Sequence, residues 1–128
     1  MAGYSKTPLL KKLGFKKDQV SYVDSHAPYY SQVKENITLG ADEPYNFIHI
    51  FVKDKEELEK SMGFSLKKLA KNGMLWVSWP KKSAKTATDI DQNTVRDFAL
   101  KQGVVDVKVA AIDEVWSGFK FMYRIKDR

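Results

Sequence analysis

Asp24-Ser25-His26 sets a carboxylate, a hydroxyl and an imidazole side by side, the residue types of a hydrolytic triad. Their spacing works against that chemistry. Adjacent side chains on an extended segment point to opposite sides, so Ser25 and His26 miss the roughly 2.6–3.2 Å that a nucleophile and its base need. No G-x-S-x-G elbow accompanies them. Asp113-Glu114 has the residue types of a general acid/base pair, but neighbours in sequence diverge, and an acidic turn accounts for them as well. His49 lies within an apolar run and reads as a core histidine bonded to a neighbour, because polar groups are seldom buried without partners. The constellation with the most to offer a ligand is Trp79-Pro80-Lys81-Lys82 with the loop that follows. Lys81 and Lys82 would supply charge to an anion, Trp79 or Trp116 an apolar or stacking wall, and Ser83, Thr86 or Thr88 hydrogen bonds. The plainer reading of the same residues is packing for the two indoles and solvation for the lysines. No residue is assigned a catalytic role.

Composition narrows the classes. Cysteine is absent and the two histidines are far apart, which excludes disulfides and thiolate chemistry and leaves a zinc centre dependent on carboxylates. Neither a metal nor a cofactor is expected. The formal charge of +6 comes mainly from lysines spread along the chain, including Lys11-Lys12, Lys16-Lys17 and Lys67-Lys68. Such a distribution gives weak attraction to anions in general and reads as solvated faces. Nucleic-acid binding ranks low, since arginines are few and no aromatic-plus-basic motif of the RRM type is present. No apolar run approaches the roughly 18–20 residues that span a bilayer, and the first residues lack the apolar stretch of a secretory signal. A soluble cytoplasmic protein is the expectation.

The elements that must position these residues follow from periodicity. Thr7 and Pro8 open a short helix that Gly14 closes, and Gln19–Val23 reads as a first strand. Tyr45–Val52 is a near-continuous apolar run, the pattern of a strand covered on both faces. Asp54 with Glu57 begins a helix in which Leu58, Met62, Leu66 and Leu69 recur until Asn72-Gly73. A buried strand, Met74–Trp79, comes next, and strand, helix, strand in that order makes a βαβ unit. Asp91 caps a helix carrying Val95, Phe98 and Ala99, which Gly103 ends. Val105–Ile112 and Phe119–Ile125 alternate with period two and pair as a hairpin at the sheet edge, joined through Asp113–Gly118. With 43% hydrophobic residues over 128 positions, one α/β domain spanning 1–128 is expected. It has three layers and about five strands, the first three parallel.

This order of elements resembles a class I methyltransferase sheet from its fourth strand onward. Between Asp24 and Tyr45 only about twenty residues remain, too few for two further βα units, since one crossover takes at least about 10–12 residues plus its strands. A Rossmann-like frame lacking its cofactor half is implied. Asp24-Ser25-His26-Ala27-Pro28 stands where a glycine-rich turn would be, and Asp42-Glu43 fall in a Gly/Pro-flanked loop rather than at a second strand end. More specifically, Tyr4–Gly14, Gly73–Lys82, Thr88-Asp89 and Asp113–Gly118 resemble a bacterial family catalogued as domain of unknown function three thousand and fifty-two. Its members often carry Gly-Ala-Pro after the first strand, where this chain has His26-Ala27-Pro28. That resemblance covers nearly the whole chain and implies no activity.

In an open parallel sheet, ligands bind beyond the carboxyl ends of the strands. With the loop residues above, this selects His26, Trp79, Lys81, Lys82, Thr88, Asp113, Glu114 and Trp116 as the candidate ligand-binding set. The expected function is a non-catalytic binding module for a small anionic ligand or a protein partner. The alternative is an S-adenosylmethionine-dependent methyltransferase with a non-standard site. An exposed edge strand would also permit a homodimer.

Overall fold

The computed structural model of the chain describes residues 8–84 and 88–128, so the expected Thr7 cap and the candidate hydrogen-bond donor Thr86 lie outside the described residues. Helix α1, Leu9–Leu13, ends on Gly14 at φ 82°. Gly14 N–H donates to the Lys11 carbonyl and Phe15 N–H to that of Leu10, a closure that needs the left-handed conformation glycine adopts without strain.

Strand β1 is Ser21–Val23, shorter than the Gln19–Val23 expected. The reason is local: Val20 N–H donates to the Asn46 side chain instead of a backbone carbonyl, so the ladder starts one residue later. A short helix α2, Tyr30–Val33, and a 3-10 turn at Lys34–Asn36 lead to β2, Tyr45–Phe51. Helix α3, Lys55–Leu66, is capped by Asp54. Strand β3, Leu69–Pro80, follows almost at once.

That junction corrects the sequence reading, which ran the helix to Asn72-Gly73 and began the strand at Met74. Leu69 does reach the core, but from the strand, where it pairs with Tyr45. The register then jumps to Met74 opposite Phe47, leaving a bulge between. A Cβ on Gly73 would lie 2.8 Å from the Tyr45 carbonyl oxygen and 2.9 Å from Leu69 Cδ1, so the bulge is packed too tightly for any side chain at that position. Leu66 and Leu69 are three residues apart, a helical spacing, so periodicity alone carries the helix past its end.

Helix α4, Gln92–Lys101, is capped by Asp91. It precedes β4, Val104–Ala111, and β5, Trp116–Tyr123. Strand β5 begins three residues before the expected Phe119 because the turn is tighter than Asp113–Gly118. Asp113 Oδ1 accepts from Val115 N–H at 2.8 Å and Trp116 N–H at 2.7 Å, and Ile112 N–H returns to the Trp116 carbonyl. At the far end Ile125 leaves the strand for a 3-10 turn, Ile125–Asp127, and is 81% exposed.

The sheet order is β1-β2-β3-β5-β4. β1, β2 and β3 run parallel, and β5 lies antiparallel between β3 and β4. The hairpin is therefore inserted with β5 inward and only β4 at the margin. Helices α3 and α4 cover one face, where Leu58, Met62, Val95 and Ala99 meet Ile48, Ile50, Leu75, Val77 and Phe119. On the other face Leu13, Ala27, Tyr29 and Val33 pack on Phe47, Phe51, Trp76 and Ala110. These are the three layers of an α/β fold. Trp76, fully buried, ties α1 to the sheet by donating from its indole to the Leu13 carbonyl at 2.8 Å. Burying a side chain of that size removes 150–250 Å² from water, or about 4–6 kcal/mol at 25 cal/mol per Å². Among the described residues, no helix is long and apolar enough to cross a membrane.

Candidate functional site

Because β4 runs parallel to β3, the carboxyl ends of β1 to β4 share one edge of the sheet, as the placement rule for ligands requires. Of the residues selected from the sequence, Trp79, Lys81, Lys82 and Thr88 line a single cleft of about 750 Å³, which Asp89, Asp91, Gln92, Asn93 and Ser117 complete. Lys81 N–H donates to the Val115 carbonyl at 2.8 Å and fixes the end of β3 against the β4–β5 turn.

The remaining candidates lie apart from this cleft. His26 is exposed, with Nδ1 2.8 Å from Asp24 Oδ1. Asp113 spends its carboxylate on the turn, and Glu114 is exposed. Trp116 pairs with Pro80, and Trp79 with Ser117, so successive positions place the two indoles on opposite faces. Trp79 is buried against Phe119, with ring centroids 5.1 Å apart. Trp116 meets Phe51 edge-on at 5.0 Å. They do not form a common wall.

The aspartates in the cleft were not selected from the sequence, and they change its electrostatics. Asp91 Oδ1 accepts from Thr94 N–H at 2.9 Å and from Thr94 Oγ1 at 3.0 Å. The backbone bond, the hydroxyl bond and then the Lys82 ammonium hold its carboxyl below the ordinary range. Asp89 Oδ1 accepts from Lys55 N–H at 2.9 Å, across to the start of α3. At the same helix end, Asp54 accepts from Glu57 N–H and Glu57 Oε1 accepts from Lys53 N–H, a capping-box variant in which the glutamate reaches the residue before the N-cap. Thr88 Oγ1 donates to the Lys53 carbonyl and accepts from Ile90 N–H. Both helix N-termini at this edge thus already meet the protein's own carboxylates, and an anion here is left with lysine, amide and hydroxyl groups. The signal in the sequence is an aspartate just ahead of each helix, Asp54 and Asp91, each of which serves as the cap.

A second polar cluster is closed to solvent. His49 Nδ1 lies 2.6 Å from the Tyr29 hydroxyl and Nε2 2.8 Å from Ser78 Oγ, and the ring stacks on Phe51 at 4.3 Å. His49 and Ser78 have no exposed surface. Burial pushes the imidazole down to about 3 and raises the Tyr29 phenol above its usual value. A neutral imidazole donates from one nitrogen and accepts at the other, so two hydroxyls satisfy it. No substrate reaches these atoms.

The resemblance of the sequence to a class I methyltransferase would imply an adenosyl cofactor, and the residues after β1 do not fit one. Asp24 Oδ1 accepts from His26 N–H at 2.9 Å, and Ala27 N–H returns to the Asp24 carbonyl. This turn is closed by its own side chains and backed by buried Ala27 and Tyr29, where close approach of a ligand needs glycine. Among the described residues, the sheet continues beyond β1 only as a bridge between Ser21 and Ile37, and no strand there presents a ribose-binding acid. Among the described residues, no three His, Asp or Glu side chains gather as a metal site.

No family model and no curated protein matches the chain. The likeness to the bacterial family of unknown function thus rests on the sequence motifs alone. Among solved structures, the chain is similar to one described as a "putative type 11 methyltransferase" from Sulfolobus solfataricus, at 15% identity and a TM-score of 0.47, covering 84% of this chain and 72% of that one.

Proposed function

We propose that the chain is a binding module that takes a small anion in the cleft beyond β3, with Lys81 and Lys82 as its counter-charges. The observation that carries this reading is the 750 Å³ cleft in which these two lysines stand beside Gln92, Asn93 and Ser117. Asp89 and Asp91 share the same walls, so the formal charges balance. A ligand of low charge, such as a monoanion, is favoured over a polyphosphate, which would bring several negative charges up to two carboxylates. Gln92, Asn93 and Ser117 supply the neutral donors that orient it.

Thermal shift against a panel of carboxylates, sulfonates, inorganic phosphate and phosphorylated metabolites tests this. A ligand at 100 times its Kd stabilises by about 2.7 kcal/mol, or several degrees for a domain of this size. The expected result is a shift with monoanions that exceeds the shift with nucleoside triphosphates and disappears in Lys81→Ala/Lys82→Ala. No shift across the panel, or an equal shift in the double variant, overturns the reading.

A further inference from the structure

The α3 side of the sheet is not covered to its margin. Helix α3 packs on β2 and β3, and the strip above β1 and the outer part of β2 is left as a groove of about 550 Å³. Ile48 and Ile50 form its floor, only 3% and 5% exposed. Tyr22 flanks the floor on β1, Phe64 stands over it from α3, and Leu39 forms the opposite lip. Tyr22, Leu39 and Phe64 are 36%, 79% and 64% exposed and are three of the eight large apolar residues exposed among the described residues. Single exposed apolar side chains are ordinary, but a cluster around one concavity marks a binding surface.

The rim is charged, and unequally so. Lys60 and Lys68 lie along the α3 side and Asp24 at one end. Asp24 is engaged by His26 at 2.8 Å and Lys60 by Glu56 at 2.8 Å. Lys68 has no carboxylate partner among the described residues, and its ammonium lies 5.3 Å from the centre of the Phe64 ring. The groove therefore combines an apolar floor, the three aromatic rings of Tyr22, Tyr45 and Phe64, and a cation without a carboxylate partner beside one of those rings.

We propose that this groove binds a small amphipathic anion, an aryl or alkyl carboxylate or sulfonate. Its apolar body lies against Tyr22, Leu39 and Phe64 above the buried Ile48 and Ile50, and its acid group meets Lys68. The volume falls within the 300–1,000 Å³ of small-molecule sites, and apolar lining with few polar groups is what such sites share. Charge selects the class: a cation would be repelled by Lys68, and a fully polar anion would gain nothing from the floor. The site is separate from the cleft beyond β3 and does not depend on it.

Fluorescence titration with 8-anilinonaphthalene-1-sulfonate tests it, with 2-naphthoate and the neutral 2-naphthamide as competitors. One saturable site is expected, displaced by naphthoate much better than by the amide. Lys68→Glu should weaken binding about tenfold, equivalent to 1.4 kcal/mol, and Phe64→Ser should abolish it. Both positions are at the surface, so unchanged far-ultraviolet circular dichroism and melting temperature would show that the variants fold. Lys11→Glu, on α1 across the sheet, is the control for general charge and should bind as the wild type does. Non-saturable binding, equal competition by the amide, or indifference to both substitutions overturns the proposal. So does a concentration-dependent dimer in light scattering that Phe64→Ser dissolves, since the groove would then be the seat of a second copy.

Discussion

His49 is neutral in the folded protein because its imidazole is sealed between Tyr29 and Ser78, where a charge has no water to solvate it. The unfolded chain protonates this histidine near 6.5, while the folded chain resists until about 3. Between those values the unfolded state holds more protons, so stability is full above pH 6.5 and falls by about 1.4 kcal/mol per pH unit as the pH drops below it. Tyr29 acts in the opposite sense: its raised pKa means stability present below pH 10 and lost above it. Urea denaturation from pH 4 to pH 8 should show this acid limb in the wild type and a flatter one in His49→Gln. At pH 7 the same variant should lose about 1–3 kcal/mol from the hydroxyls left unpaired. An acid limb unchanged in His49→Gln would assign the titration to other groups. That His49 is buried and bonded was legible in the apolar run around it; its partners were not. Ser78 comes from the neighbouring strand and Tyr29 from an irregular segment, and neither proximity leaves a trace in local spacing. The indoles show the same limit, since only the Pro80–Trp116 register reveals that Trp79 and Trp116 face opposite ways.

Helix starts were the most readable elements, because an N-cap is a local event: Asp54 and Asp91 each accept from the backbone three residues on. Strand limits were less so, since they depend on a partner. β3 begins at Leu69 only because Tyr45 is there to pair with it, and β5 begins at Trp116 because Asp113 closes the turn early. The cap on α4 also couples stability to the cleft. Asp91 satisfies the helix end and opposes the Lys82 charge, two roles that substitution can separate. Asp91→Ala should lower the melting temperature by a few degrees, whereas Asp91→Asn, still a good cap, should leave it nearly unchanged. Both variants free Lys82, so both should bind a small anion such as acetate or phosphate more tightly than the wild type in calorimetric titration. Affinity unchanged in Asp91→Asn would mean that Lys82 does not face the bound anion.

At the scale of the molecule, the sheet has three parallel strands and a returning hairpin, and β1 is one of its two margins. In the complete class I sheet that the sequence resembles, two further βα units would continue past this strand. Here the chain returns directly through α2 to β2 and leaves only the Ser21–Ile37 bridge outside β1. Chain length between Asp24 and Tyr45 made that loss legible, because a crossover has a minimum length whatever its sequence. The groove beside α3 was not legible, since it arises from how Tyr22, Leu39 and Phe64 meet around one concavity rather than from any motif. The short connection bears on the enzyme reading, as the turn after β1 is closed by Asp24 and His26 and, among the described residues, no strand outside β1 supplies an acid. Titration calorimetry with S-adenosylhomocysteine should accordingly show no saturable heat at millimolar ligand, the regime of Kd above about 1 mM and binding weaker than about 4 kcal/mol. His26→Gly, which loosens the turn, should not restore it, because the ribose-binding strand is still missing. Saturable heat in the wild type would place an adenosyl site outside the β1 turn and favour an enzyme with a non-standard cofactor site.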